Sequence, residues 1–269
     1  MSENELTSLP YLDVDRPESG VVVLTLADHP RRNVMSDEMT ASWVQAIDAL
    51  TREPGLRAVV VTGQGSAFCS GGDLGWLSAE PDATVDELRA RMLPFYRAWL
   101  SIRRLEVPTI AAINGPAIGA GLCVAMACDL RYAASSARMG APFVKLGLHP
   151  GMASTWLFPD VLGPAVARDL LLTGRLVRGE EAVSLGLVSR VIQDEGFLDE
   201  VVATATGIAA NAPVATRLTK LALGGAGHRD IEAALQWEAL AQPVTMATAD
   251  LHEGIAAAQE KRSPRFEGR

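Results

Sequence analysis

Cysteine and histidine are scarce. The 269-residue sequence holds three cysteines (Cys69, Cys123, Cys128) and four histidines (His29, His149, His228, His252), and Cys123 and Cys128 stand five apart with no histidine beside them. That spacing fits no zinc site, so no metal centre is expected. An odd, sparse cysteine set excludes a disulfide scaffold and points to a reducing compartment, so a cytoplasmic protein is expected. No apolar run reaches the ~18 residues of a membrane-spanning helix. The acidic start, Met1 to Glu5, lacks the apolar segment of a signal peptide. Lysine is rare as well: arginine supplies 21 of the 24 basic residues, a skew with no mechanistic reading. The net charge of −8 and the lack of a basic, aromatic-interleaved patch argue against nucleic acid or anionic membrane as a partner. There is no internal repeat, low-complexity tract or heptad run. What is present is an ordinary globular composition, 48% apolar and 21% charged, which excludes disorder and collagen-like repeats. The length suits one large domain, or one domain with a small helical appendage.

The first sixty residues read as strand, strand, helix, strand. Val21–Leu24 is β-favouring and follows a turn at Pro17-Glu-Ser-Gly20. Ser36 is placed to cap a helix, with Asp37 and Glu38 in its first turn and Met39, Trp43, Ile47 and Leu50 at helical spacing. Pro54-Gly55 ends it, and Ala58–Thr62 is a short buried strand. A glycine-rich loop, Gly63–Asp73, comes next, then a polar connector at Glu80–Ala83. A long helix opens at Thr84 or Asp86 and runs to Arg104, with Pro94 as a kink. Thr109–Asn114 is another buried strand. Gly119–Cys128 is a wholly apolar helix that must be buried. Leu130–Ala134, Arg138–Ala141 and Val188–Ile192 are further strands. Helicity dominates from Gly163, with Pro164 in a first turn and helices at 197–210, 213–223, 229–241 and 247–261. Strands joined by helices make this an α/β chain, divided into a core of residues 1–195 and a helical region of residues 196–269.

Two glycine-rich turns each follow a strand and lead into a helix: Ser70-Gly-Gly-Asp73 and Ile118-Gly-Ala-Gly-Leu122. Such turns let a backbone N–H approach a ligand, and N–H groups at a helix N-terminus carry partial positive charge. Two of them converging on one oxygen would stabilise negative charge on a carbonyl; the alternative is a pair of tight turns. Neither is a phosphate loop, which needs Gly-Lys-Ser/Thr, and neither is a dinucleotide fingerprint.

Several segments together carry a family resemblance. They are His29-Pro-Arg-Arg-Asn-Val-Met35, Gly65–Leu74, Ile113–Gly121, Ala127–Tyr132, Leu146-Gly-Leu-His-Pro-Gly151, Leu171–Val177, Glu180–Val188 and Glu253–Arg262. In this order, over nearly the whole length, they resemble the enoyl-CoA hydratase/isomerase (crotonase) superfamily. The resemblance implies a ββα-superhelix core with a C-terminal helical trimerisation region, and a homotrimer or dimer of trimers. It implies acyl-coenzyme A thioesters as substrates in fatty acid metabolism, with coenzyme A as part of the substrate and no tightly bound cofactor. It places the two carbonyl-polarising N–H groups at Gly72 and Ala120, where Ala120 replaces a glycine common at that position. It also places acyl-CoA contacts at Ala67, Ser70, Gly72, Asp73, Leu74, Trp76, Ala120 and Phe143. Arg31, Arg32, Lys261 and Phe266 fall at nucleotide-contacting positions, while Gly75 stands where some members carry a phosphate-binding lysine.

Hydratases of this family carry two glutamates, and the matching positions here are Cys123 and Phe143. Hydration needs groups to deprotonate water and to protonate the α-carbon, and Phe143 can do neither. The remaining candidates each have two readings. Cys123 is an acid/base or nucleophile favoured by a helix N-terminus, or a small apolar core residue. His149 is a proton-transfer group or a loop histidine. Asp73 is catalytic or caps the next helix turn. Glu80, Asp82, Asp86 and Glu87 are lid carboxylates or a solvated charge run. Arg31 and Arg32 bind phosphate or form a surface pair. By the resemblance, Lys261 and Phe266 reach a neighbouring subunit's nucleotide, or they pack the last helix. Trp76 lines an acyl pocket or packs a helix. The sequence therefore supports an enzyme acting through an enolate-like intermediate, with a non-catalytic acyl-CoA-binding protein as the alternative.

Overall fold

The computed structural model describes residue 6 and residues 9–79, 82–225 and 230–269. Glu80 and His228 lie outside the described residues. β1 (Leu12–Glu18) and β2 (Val21–Leu26) form an antiparallel pair, followed by α1 (Asp37–Leu50) and β3 (Ala58–Gly63). Two helices, α2 (Leu74–Ser78) and α3 (Val85–Trp99), precede β4 (Thr109–Ile113) and β5 (Ala117–Ile118). Next come α4 (Ala120–Ala127), β6 (Leu130–Ala134), β7 (Met139–Gly140), α5 (Ser154–Thr173), α6 (Gly179–Ser184) and β8 (Arg190–Ile192). The chain continues in α7 (Phe197–Ala209), α8 (Pro213–Leu223), α9 (Ile231–Met246) and α10 (Ala249–Glu260).

Six strands form one sheet in the order β1-β2-β3-β4-β6-β8, and every pairing after β1–β2 is parallel. β5 and β7 make a second, two-stranded parallel sheet. Helices on both faces explain the apolar central strands, because a parallel sheet is buried on both sides. Alternate residues divide between two cores, as a period of two requires. Val22, Leu24, Leu26, Val59, Val61, Ala111 and Ile113 join one apolar cluster, with α1, α4 and α5. Val21, Val23, Ala58, Val60, Ile110 and Ala112 join the other, with Phe197, Val201 and Ala205 of α7. The residues past 196 are thus not uniformly apart from the sheet: α7 covers one of its faces.

α1 begins where its cap predicts, with the Met39 N–H donating to Ser36 Oγ at 3.2 Å. Met39, Trp43, Ala46, Ile47 and Leu50 are its buried stripe. Trp43 stacks on Trp99 at the end of α3, with ring centroids 5.0 Å apart. α3 opens at Thr84 rather than Asp86, through a capping box in which the Thr84 N–H donates to Glu87 at 2.8 Å and the Glu87 N–H donates back to Thr84 Oγ1 at 3.3 Å. It ends at Trp99, short of the expected Arg104, in a tighter 3-10 turn at Leu100–Arg104. α5 starts nine residues before Gly163 and passes through it, the backbone breaking there at φ 75° and ψ 161°. Gly163 thus separates two helical halves, and Pro164 stands in the first turn of the second, as its place in the sequence suggests. Val188 and Ser189 precede β8, and the expected strand at Arg138–Ala141 is the two-residue β7.

Among the described residues no cluster of three or more metal-ligating side chains occurs, and no helix is long and apolar enough to cross a membrane.

The C-terminal segment folds back on α10. Asp250 accepts hydrogen bonds from the Glu267 N–H at 2.7 Å and the Gly268 N–H at 2.9 Å. Glu253 receives Arg262 through both carboxylate oxygens, at 2.6 and 2.9 Å, and the Arg265 N–H at 2.8 Å. These donors, Arg262 foremost, lower the Glu253 pKa from 4.5 to about 2. A pKa depressed on folding adds stability that is complete above the unfolded value and vanishes as pH falls through the folded one. Urea midpoints of the wild type and Glu253→Gln should therefore differ above pH 4.5 and converge as the pH drops to about 2. The difference should be small, because the pair is exposed to solvent.

Candidate active site

The loop after β3 cannot extend the sheet, and its carbonyls are satisfied by two asparagine side chains. Asn33 follows β2; its amide donates to Gln64 O at 3.0 Å, Ala67 O at 2.8 Å and Phe68 O at 3.2 Å. Its own oxygen accepts the Asp28 N–H at 2.9 Å. Asn114 follows β4; its amide donates to Gly63 O at 2.7 Å and Gly65 O at 3.0 Å, and its oxygen accepts the Gly63 N–H at 3.1 Å. Asn33 is fully buried with φ 55°, a left-handed conformation that asparagine tolerates better than most residues.

Pinned in this way, the loop runs alongside β5. The Cys69 N–H donates to Pro116 O at 3.1 Å, the Ile118 N–H to Cys69 O at 3.0 Å, and the Met35 N–H to Gly71 O at 2.9 Å. The two glycine-rich turns then touch. A Cβ on Gly71, whose φ is 95°, would stand 2.7 Å from Ile118 O and 3.3 Å from Ala120 N, so only glycine fits. Gly119 turns the chain into α4 at φ 57° and ψ −120°. The first bond of that helix is Cys123 N–H to Gly119 O at 3.1 Å, which leaves the Ala120 N–H at the helix N-terminus. Among the described residues neither the Gly72 N–H nor the Ala120 N–H donates a hydrogen bond. Ala120 has ordinary helical backbone, so its methyl group costs no strain. Both N–H groups, on adjoining turns, are thus available to an acceptor from outside the chain.

The walls are aromatic. The Phe143 ring lies 3.7 Å from the position of a Gly119 Cβ. Trp76 packs on Phe95 with ring centroids 5.3 Å apart and carries the Arg91 guanidinium 3.9 Å from its own centroid. Asp73 caps α2, accepting the Trp76 N–H at 3.1 Å. Tyr96, which the sequence reading passed over, projects from α3 to the Gly151 backbone, 2.5 Å from a Cβ placed there. No local signal marks it: it is one more aromatic residue on a partly buried helix. Cys123 is fully buried, its thiol 4.0 Å from Gly151 O. Burial pushes that thiol far above the ordinary range, which opposes the thiolate a helix N-terminus would favour. His149 is exposed on the loop after Phe143. Glu87 is bound into its capping box, and Asp82 and Asp86 are exposed.

The family model described as enoyl-CoA hydratase/isomerase matches residues 16–269. The chain belongs to this family. Among similar proteins, a Thermus thermophilus chain that carries an enoyl-CoA hydratase name is 43% identical over 249 residues, which span 91% of this chain and 97% of that one. The 1,2-epoxyphenylacetyl-CoA isomerase of Escherichia coli is 34% identical over 253 residues, 94% of this chain and 97% of its own. The crystal structure of an enoyl-CoA hydratase from Bacillus anthracis aligns with a TM-score of 0.89 at 32% identity, covering 96% of this chain and all (100%) of that one. The expected crotonase-like architecture with helices at its C-terminus is the one found.

The positions that the enoyl-CoA hydratase/isomerase resemblance assigns to nucleotide contacts fall in two places. Arg31 and Arg32 adjoin the first turn, because the Ser70 N–H donates to Arg32 O at 3.0 Å and Ser70 Oγ to Arg31 O at 3.4 Å. The Arg31 guanidinium pairs with Asp28 at 2.7 Å, which raises its pKa, while Arg32 is exposed at φ 56°. Ala67 is buried beneath the loop, and Leu74 and Gly75 are exposed beside it. Lys261 and Phe266 belong to the folded-back tail: Lys261 is the exposed left-handed cap of α10, and the Phe266 ring lies 3.4 Å from a Cβ placed on Gly254.

Asn33→Asp would turn a buried donor toward three carbonyl oxygens and leave it repelling them. It should lower unfolding free energy by about 3 kcal/mol in urea denaturation, a cost in the range of a broken buried network.

Proposed function

We propose that this protein is an acyl-CoA thioester-processing enzyme. The Gly72 and Ala120 N–H groups hold the thioester oxygen while an enolate-like intermediate forms. The observation that carries this reading is the contact of the two glycine turns, with both N–H groups free of protein acceptors. The aromatic walls favour a dry site, in which fixed dipoles stabilise charge more than they do in water. Arg31, Arg32, Lys261 and Phe266 serve the coenzyme A nucleotide, and Ala67, Ser70, Leu74, Trp76 and Phe143 surround the thioester and acyl chain. Coenzyme A enters as part of the substrate, with no separate cofactor.

Ordinary hydration is not the reaction we infer. The two positions that hold glutamate in the family's hydratases are Cys123 and Phe143 here, and neither side chain can activate water. Isomerisation suits the site better, a reading in line with the isomerase named in E. coli. Self-association as a homotrimer or dimer of trimers fits the exposed Ile231, Leu235, Leu240 and Val244 on α9. The second reading, a non-catalytic acyl-CoA-binding protein, draws on the missing carboxylates.

Offered crotonyl-CoA, a 3-enoyl-CoA and a saturated acyl-CoA, the protein should bind all three and shift the double bond of the 3-enoyl thioester faster than it hydrates crotonyl-CoA. Calorimetric binding at micromolar levels with no turnover of any thioester would favour the non-catalytic reading. Proline is well tolerated at the first position of a helix and lacks only the N–H. Ala120→Pro should therefore keep stability within about 1 kcal/mol, yet lower turnover about 100-fold through loss of one oxyanion donor.

A further inference from the structure

We propose that the phenol of Tyr96 is the group that exchanges a proton with the acyl chain beside the thioester, in the place left by the absent carboxylates. This assignment rests on the thioester reading above. α3 carries Tyr96 across the site to the Gly151 backbone, where a Cβ on Gly151 would lie 2.5 Å from the hydroxyl and 3.0 Å from Cζ. Gly151 O is in turn 4.0 Å from Cys123 Sγ. Cys123 is three residues beyond Ala120 on α4, and such neighbours share a helix face with Cβ atoms about 5–6 Å apart. The Tyr96 hydroxyl, Gly151 and Cys123 thus form one chain of neighbours that leads to the first turn of α4, which Ala120 opens.

Of the other ionisable groups near the two turns, three are buried or bound to the backbone and one lies on an exposed loop. Cys69 and Cys123 are fully buried, and burial raises both thiols, Cys69 to about 12. Asp73 caps α2. His149 is exposed on its loop. The Tyr96 side chain is half-buried, and its hydroxyl makes no hydrogen bond among the described residues. Burial raises its pKa as well, so the phenol predominates and the base is a minor phenolate fraction.

The step balances without a co-reactant. The phenolate fraction takes a proton from the α-carbon. The C–H electron pair moves into the bond to the carbonyl carbon, and the carbonyl pair moves to oxygen, where the two N–H groups receive it. The phenol then gives the proton back. Return to the α-carbon regenerates the substrate, and return to the γ-carbon of a 3-enoyl thioester moves the double bond.

Incubation with butyryl-CoA in heavy water tests this through deuterium uptake at the α-carbon, read by mass spectrometry, with butyryl-CoA affinity measured by calorimetry. The wild type should bind and exchange. Tyr96→Phe should bind within about threefold of the wild type and exchange at least about 100-fold more slowly, the scale of a lost general base. Placing 3-fluorotyrosine at position 96 makes the phenol more acidic with little change of shape, and should raise the exchange rate at neutral pH. A wild type that binds butyryl-CoA but exchanges nothing overturns the Tyr96 assignment alone. So does a Tyr96→Phe protein that exchanges within threefold of wild type, or a fluorinated protein of unchanged rate. A wild type that binds no thioester overturns the assignment together with the reading beneath it.

Discussion

Two side-chain amides bind the carboxyl ends of three strands together. β2, β3 and β4 are parallel neighbours, and the loop leaving β3 has carbonyl groups that no ladder can satisfy. Asn33 from beyond β2 and Asn114 from beyond β4 supply those donors from either side. A buried carbonyl without a partner costs about 1–3 kcal/mol, and those of Ala67 and Phe68 are buried. With the loop held, Cys69 pairs along Ala117 and Gly71 arrives against Ile118. The site therefore sits in the crevice outside the carboxyl ends of parallel strands, where such sheets place their ligands.

In the proposed reading, the chemistry between the two turns comes mainly from the backbone. Peptide N–H groups provide the positive charge, and the side chains around them are Phe143, Trp76, Phe95 and Tyr96. A backbone donor needs no reorientation when charge develops, and an apolar surround leaves its field unscreened. On that reading, a chain with few histidines and buried cysteines can still stabilise the charge of an enolate-like intermediate. Arg31 and Arg32 are exposed beside the first turn.

Periodicity and capping made most of the fold legible. Ser36 with Met39, Trp43 and Leu50 marks α1, and the wholly apolar run at 120–127 could only be a buried helix. At α5 the break at Gly163 and the helical turn that Pro164 opens were legible too, whereas the stretch from Ser154 to Gly163 carried no local sign of a helix. β5 and β7 are two residues each and exist only by pairing with one another, which no local pattern reports. The two glycine turns were legible as backbone features because glycine is required there sterically. Their contact, and the approach of Tyr96 to Gly151, join residues far apart in the chain, and only the folded backbone brings them together. Asp73 and Glu87 show the opposite limit: each has the composition of a catalytic acid, and each is bound to a helix end.

The strand at the margin of the sheet has its own consequence. β1 presents Asp13, Asp15, Arg16 and Glu18 to solvent, and Pro17 within it has no N–H to offer. A second chain approaching that border would find like-charged carboxylates and a missing donor where a ladder would need regular pairing. The opposite border, β8, is three residues long and too short to template an addition. Both borders of this sheet are therefore poor templates for a strand from another molecule.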